Sequence, residues 1–161
     1  MKAEIPIRFI PENENWVSHI AVQVKVNGKK ADMIIDTGAS NSVFNIHDAE
    51  AYGLNTKAIP GGEKAVGLGS DQLDTHMAKK VELKAGDMVF KKFSFVLLDL
   101  EIINETFKKL GVGSIQGIIG TDLLLKCKAV INYRKKILTL SCTKKELEKA
   151  FKLDLMKNKL S

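Results

Sequence analysis

A carboxylate, a hydroxyl and a glycine follow one another at Asp36-Thr37-Gly38, directly after the apolar run Met33-Ile34-Ile35. A turn closing a β-hairpin uses these residue types. So does a metal-binding loop with one visible acidic ligand, and so does a catalytic carboxylate. For catalysis each neighbour has a purpose. The apolar run anchors the backbone in the core, so the acid is held rigidly. A hydroxyl next to it can tie neighbouring backbone together. A glycine permits close backbone approach, and its amide can hydrogen-bond a carboxylate oxygen. The tripeptide alone does not choose among the three.

Other reactive side chains form no comparable pattern. His19, His47 and His76 are widely spaced and read as surface or strand residues, so no metal site is expected. Asp122 is expected to cap or anchor a short helix, and Asp71 and Asp74 to lie on the surface. The glycine-rich stretch at 59–73 lacks both the lysine-serine ending of a phosphate-binding loop and the dinucleotide spacing. No cofactor is implied. Cys127 and Cys142 lack metal-ligand spacing and are expected to be reduced and partly buried, although they flank a hairpin that could bring them together.

The elements that must carry Asp36 are mostly short strands. Residues 5–10 alternate and stop at Pro11, and 16–26 are rich in β-branched residues. Asn27-Gly28 predicts a tight hairpin turn, with 30–35 as the returning strand. A short strand at 42–44 and a brief helix at 47–54, capped by Gly53, come next. Residues 79–100 form a second hairpin turning at 85–87, and 103–110 a short helix or loop. After the buried segment 117–120, Thr121 caps a helical turn or two over 121–126, and 128–133 with 136–142 make a third hairpin. Thr143 and Glu146 predict a capping box opening a terminal helix, striped by Leu147, Ala150, Phe151 and Leu155. The chain thus divides into an N-terminal strand or extension (1–15), a β-domain (16–142) and a C-terminal amphipathic helix (143–161). Trp16 and the phenylalanines are expected in the core.

Bulk properties fit one compact domain. The chain has 161 residues, 45% hydrophobic and 27% charged. Its net charge of +6 comes from 25 basic and 19 acidic residues, with lysine pairs scattered along the chain. No basic cluster interleaves with aromatics, so a solvated surface is favoured over a nucleic-acid patch. No run approaches bilayer length, and the first fifteen residues lack the apolar core of a secretion signal. A cytoplasmic protein without membrane association is expected.

A second segment alters the reading of Asp36. Ile118-Ile119 precede Gly120, then come a short helix and a hairpin. With Asp36-Thr37-Gly38-Ala39-Ser40, this resembles the retropepsin-like aspartic proteases, the single-lobe relatives of pepsin, over roughly residues 16–141. The resemblance implies a mainly β fold, the closed barrel of the acid proteases, with short helices and the C-terminal helix added. It implies that Asp36 is the catalytic carboxylate. Thr37 makes an inter-subunit hydroxyl contact, and Gly38 donates its amide to the carboxylate. Ala39 and Ser40 border the substrate backbone. Ile118, Ile119 and Gly120 brace the loop from behind, and Gly67, Leu68 and Gly69 form the tip of a flap. Viral members carry an acidic residue where Ser40 stands, and an arginine where Thr121-Asp122 follows the second signature here.

Hydrolysis by this route needs two carboxyl groups facing one water, one ionised and one protonated. Two carboxylates so close share one proton and titrate as a pair. The chain has one Asp-Thr-Gly and is too short for two lobes. The resemblance therefore implies a homodimeric endopeptidase, Asp36 meeting its symmetry copy, with a peptide or protein substrate and no nucleic-acid partner. Two alternatives remain at this point. One is a related module kept for dimerisation or peptide binding with little or no catalysis. The other, from a different class, is a basic nucleic-acid-binding β-domain.

Overall fold

The computed structural model describes residues 1–12, 15–58 and 76–151. Eleven strands and three α-helices are assigned within these ranges. The first hairpin joins β3 (His19–Val26) to β4 (Lys29–Ile35). Its turn is at Asn27 and Gly28, with φ of 48° and 82°. Both residues adopt the left-handed backbone that Asn-Gly tolerates, so local sequence sets this register. A second hairpin pairs β7 (His76–Ala85) with β8 (Met88–Leu98) and turns at Gly86, φ 59°.

Between the hairpins, β5 (Val43–Asn45) runs parallel to β8, and β9 (Gly117–Ile119) lies parallel to β4 and antiparallel to β5. A further pairing of β3 with β7 closes the ring β3-β4-β9-β5-β8-β7 into a six-stranded barrel. Two short strands, β2 (Arg8–Ile10) and β6 (Thr56–Ala58), extend it on β3 and β7. The mainly β architecture and closed barrel agree with expectation.

The barrel's aromatic core holds Phe44, Phe90, Phe93 and Phe95, all fully buried. Burying a side chain of this size contributes about 1.5–3 kcal/mol. A second cluster on the outer face of β4, β5 and β8 joins Ile34, Val43 and Val96 to Leu100, Phe107 and Ile115. Helix α1 (Glu101–Lys109) brings Phe107 to it. Strand β4 is therefore covered on both faces before Asp36, and Met33, Ile34 and Ile35 are all buried. That is why the run before Asp36 is continuously apolar rather than alternating.

Several local expectations are corrected. The strand foreseen at 5–10 is two strands, β1 (Lys2–Pro6) and β2. Strand β1 leaves the barrel for a three-stranded sheet with β11 (Ile137–Ser141) and β10 (Val130–Asn132). The helix foreseen at 47–54 is a single 3-10 turn, Ile46–Asp48, although Gly53 does end the segment at φ 65°. Thr121 is the first residue of α2 (Thr121–Lys126), not its cap, which is Gly120. The capping box of Thr143 and Glu146 forms, and α3 covers Lys144–Glu148. Beyond it Phe151 is drawn into the core, its amide donating to Lys92 O at 3.0 Å. Residues 152–161, with Leu155, lie outside the described residues. Trp16 is 48% exposed rather than core. Cys127 and Cys142 are joined in a disulfide, correcting the expectation of free thiols. Each of the lysine pairs at 29–30, 79–80, 91–92, 108–109, 135–136 and 144–145 is exposed.

Candidate active site

Strand β4 ends at Ile35 and delivers Asp36 to an exposed loop leading into β5. The Asp36 amide donates to Ile119 O at 3.0 Å, extending the β4–β9 ladder by one bond. The loop then turns on itself. Gly38 N donates to Asp36 Oδ1 at 2.8 Å, and Ala39 N to Asp36 O at 3.2 Å. A Cβ on residue 38 would meet that carboxylate oxygen at 3.2 Å, so glycine suits the close approach. Asp36, Thr37, Gly38 and Ser40 are exposed, and Ala39 is half-buried.

The segment after β9 grips the loop from behind. Gly120 packs so tightly that an added Cβ would lie 2.7 Å from Ala39 O and from the Asn41 backbone. Thr121 donates to Ala39 O twice, from its amide at 2.8 Å and its hydroxyl at 3.1 Å. Asp122 accepts Ser42 N at 2.9 Å and Ser42 Oγ at 2.7 Å, besides the amide of Leu123 at 2.8 Å. Ser42 Oγ in turn accepts Gly120 N at 3.0 Å. Ile119 is buried in the barrel core, while Ile118 pairs with Ile34 and Val43 and packs on the outer cluster.

The structure thus brings Asp36, Thr37, Gly38, Ala39 and Ser40 together with Ile118, Ile119 and Gly120. Gly67, Leu68 and Gly69 lie outside the described residues. Sequence reasoning missed Ser42 and Gln116. Gln116 ties the base of the site: its side chain accepts Asp32 N at 2.8 Å, and its carbonyl accepts Asn45 N at 2.7 Å. A small polar residue two positions after Ser40, directly before the apolar strand residues Val43 and Phe44, was the available signal for Ser42.

A groove of about 760 Å³ opens beside the loop, between Ser40, Thr121, Leu125 and Lys126 on one side and Lys149 and Phe151 on the other. Leu125 is 80% exposed there. Away from the loop, a hydrogen bond to Asp99 holds His47 above the usual imidazole range, against an opposing effect of burial and with help from the charges of Asp99, Glu101 and Asp48. Asp99 is held below the usual carboxylate range, chiefly by the Glu101 amide and then by His47. Among the described residues, no helix is long and apolar enough to cross a membrane.

Comparison with known proteins gives concordant results. A family model described as aspartyl protease matches residues 22–123. The DNA damage-inducible protein 1 of Kluyveromyces lactis is 25% identical over 138 residues, which are 84% of this chain and 29% of that protein. This chain thus spans less than a third of that relative's length. The fold is similar to the retroviral protease-like domain of Ddi1 from Leishmania major, with TM-score 0.55 and 20% identity, covering 78% of this chain and 90% of that one. It is equally similar to a retropepsin-like aspartic protease from Rickettsia conorii, with TM-score 0.55 and 21% identity, covering 87% and 91% of the two chains.

Proposed function

Because this chain belongs to the aspartyl protease family, we propose that it is a homodimeric endopeptidase in which Asp36 of each subunit activates a water against a peptide bond. The observation that carries this reading is the mounting of Asp36. A rigid, doubly covered strand presents it at the surface, with Gly38 N on one carboxylate oxygen. Charge-assisted bonds of this kind fix a carboxylate's direction.

One carboxylate accounts for half of the chemistry. A water must lose a proton to one carboxyl group while another, protonated, polarises the carbonyl oxygen and then protonates the leaving amine. A second copy supplies that group if the two loops face each other across a two-fold axis. In this arrangement the Thr37 hydroxyls cross-link the loops, and Ile118, Ile119 and Gly120 hold each loop from behind. Ala39 and Ser40 border the substrate backbone, with Gly67, Leu68 and Gly69 closing over it. The exposure of Asp36 and Thr37, and of Leu125 on the helix packed behind them, supports a face open to a partner.

The cytoplasmic setting expected from sequence bears on the cystine, since that compartment keeps most thiols reduced. The Cys127–Cys142 disulfide stands against that habit, so the redox state of the two cysteines in cell extracts tests the cytoplasmic expectation.

The test is digestion of a diverse peptide library by wild type and by Asp36→Asn. Cleavage by wild type alone, with both proteins folded and equally associated, is the expected result. An intact library in both digests rejects the protease reading and leaves a peptide-binding or dimerisation module.

A further inference from the structure

At the end of β5 remote from the Asp36 loop, three ligand-type side chains converge from segments far apart in the chain. His47 belongs to the 3-10 turn, and Asp99 and Glu101 stand where β8 gives way to α1. His47 Nε2 lies 3.3 Å from Asp99 Oδ1 and 3.6 Å from Glu101 Oε1. One ligand atom from each of the three falls within 4.8 Å of the other two. Metal–ligand bonds of about 2.0–2.2 Å in a tetrahedron separate neighbouring ligand atoms by roughly 3.4 Å. The two histidine-to-carboxylate spacings therefore already approach the edge length of such a polyhedron. Glu101, 63% exposed at its side chain, is free to close the remaining gap by rotating.

The scaffold behind the cluster holds both segments at once. Asn45 is buried, and its Oδ1 accepts His47 N at 3.4 Å and Leu100 N at 3.3 Å. A single amide thus fixes the backbone on either side of the three ligands. Its Nδ2 donates to Asp48 Oδ2 at 3.1 Å. Asp99 Oδ1 also accepts Glu101 N at 2.9 Å, which orients the Asp99 carboxylate. Preorganised backing of this kind separates a binding site from a chance surface meeting of charges. With a neutral imidazole the ligands carry two negative charges, and Asp48 adds another nearby. That balance suits a dication, on a chain whose net charge is +6.

We propose that His47, Asp99 and Glu101 bind a borderline divalent cation of the Zn²⁺ type, with water completing its coordination. The imidazole nitrogen selects against the hard cations Mg²⁺ and Ca²⁺, which take oxygen ligands. The bound ion ties the turn after β5 to the start of α1 and raises stability by linkage. His47 thereby departs from its sequence reading as a plain surface residue. Its partners are distant in sequence, so no local ligand spacing exists to be read.

Calorimetric titration of the chelator-stripped full chain with ZnCl₂, alongside thermal unfolding, tests the assignment. One equivalent is expected to bind and to raise Tm, with MgCl₂ at equal concentration giving no heat. Affinity falls at least tenfold in His47→Gln and in Glu101→Gln, and stays at the wild-type value in His76→Gln. All three substitutions are at non-buried positions, so folding survives them. Absence of saturable Zn²⁺ binding by wild type, or wild-type affinity in His47→Gln or Glu101→Gln, overturns the proposal. Neither readout depends on peptide cleavage.

Discussion

The Ser42 hydroxyl donates to the Asp122 carboxylate at 2.7 Å while accepting the Gly120 amide at 3.0 Å. Ser42 is fully buried, so this hydroxyl relays one end of the Asp36 loop to the segment that backs it. Asp122→Ala removes the acceptor for both Ser42 N and Ser42 Oγ and strands two buried polar groups. A loss of about 2–6 kcal/mol is expected, since each of the two unsatisfied groups costs roughly 1–3 kcal/mol. Asp122→Asn keeps one acceptor oxygen and should lose less. Urea denaturation of the two variants checks the order, and equal midpoints would remove Asp122 from this role.

Gly120 and Gly113 make a matched pair for substitution by alanine. At Gly120 a Cβ lands 2.7 Å from two backbone carbonyl oxygens, whereas at Gly113 it meets nothing within 4 Å. Overpacking against rigid backbone costs about 1–3 kcal/mol or more, and here it also pushes on Ala39 beside Asp36. Gly120→Ala should therefore lose both stability and cleavage. Gly113→Ala should be neutral or slightly stabilising through the unfolded chain. Denaturation midpoints and initial rates on one peptide separate the two cases.

What the sequence revealed and what it hid follow from the range of the forces involved. The Asn27-Gly28 turn, the Asp36 loop and the Thr143–Glu146 capping box are decided within a few residues, and all are present. The insertion of β9 between β4 and β5 rests on pairs such as Ile35 with Ile119, which no local periodicity announces. Residues 47–54 carry a helical pattern, but a segment this short gains too few bonds to offset nucleation. Asn45 and Gly53 instead close it from either end as turns. The terminal helix stops at Glu148 because Phe151 packs on Phe90 and Phe93, with ring centroids 5.4 Å and 4.5 Å away. Tertiary contact overrides helix periodicity there. The relay through Ser42 was hidden for the same reason, since its partners Gly120 and Asp122 are remote in the chain.

The Cys127–Cys142 disulfide joins the C-terminal end of α2 to the end of β11 across a separation of 15 residues. A loop of that length, closed in the unfolded chain, stabilises by about 3 kcal/mol. Both cysteines are buried, so reduction requires opening of this corner. Unfolding in urea with and without dithiothreitol should differ by about that amount, and the Cys127→Ser, Cys142→Ser double variant should match the reduced protein. Identical midpoints with and without reductant would show that the bond contributes nothing.

Pairing of Asp36 across two subunits has a consequence that a single-chain mechanism does not share. Well below the dimer dissociation constant, the concentration of paired chains rises as the square of total protein, so initial rate should be second order in protein. Well above it, mixing wild type with an equal amount of Asp36→Asn redistributes wild-type chains into mixed dimers. Each mixed dimer holds one aspartate and cannot supply both the base and the acid. If the two forms associate equally, about half of the wild-type chains remain paired with each other, so activity per wild-type chain should fall to about half. A larger excess of the variant should silence the mixture further. The variant is suited to poisoning because the asparagine side chain keeps an oxygen for the Gly38 amide, leaving the loop able to dock. Rates strictly proportional to wild-type protein, untouched by any amount of Asp36→Asn, would mean that each chain works alone.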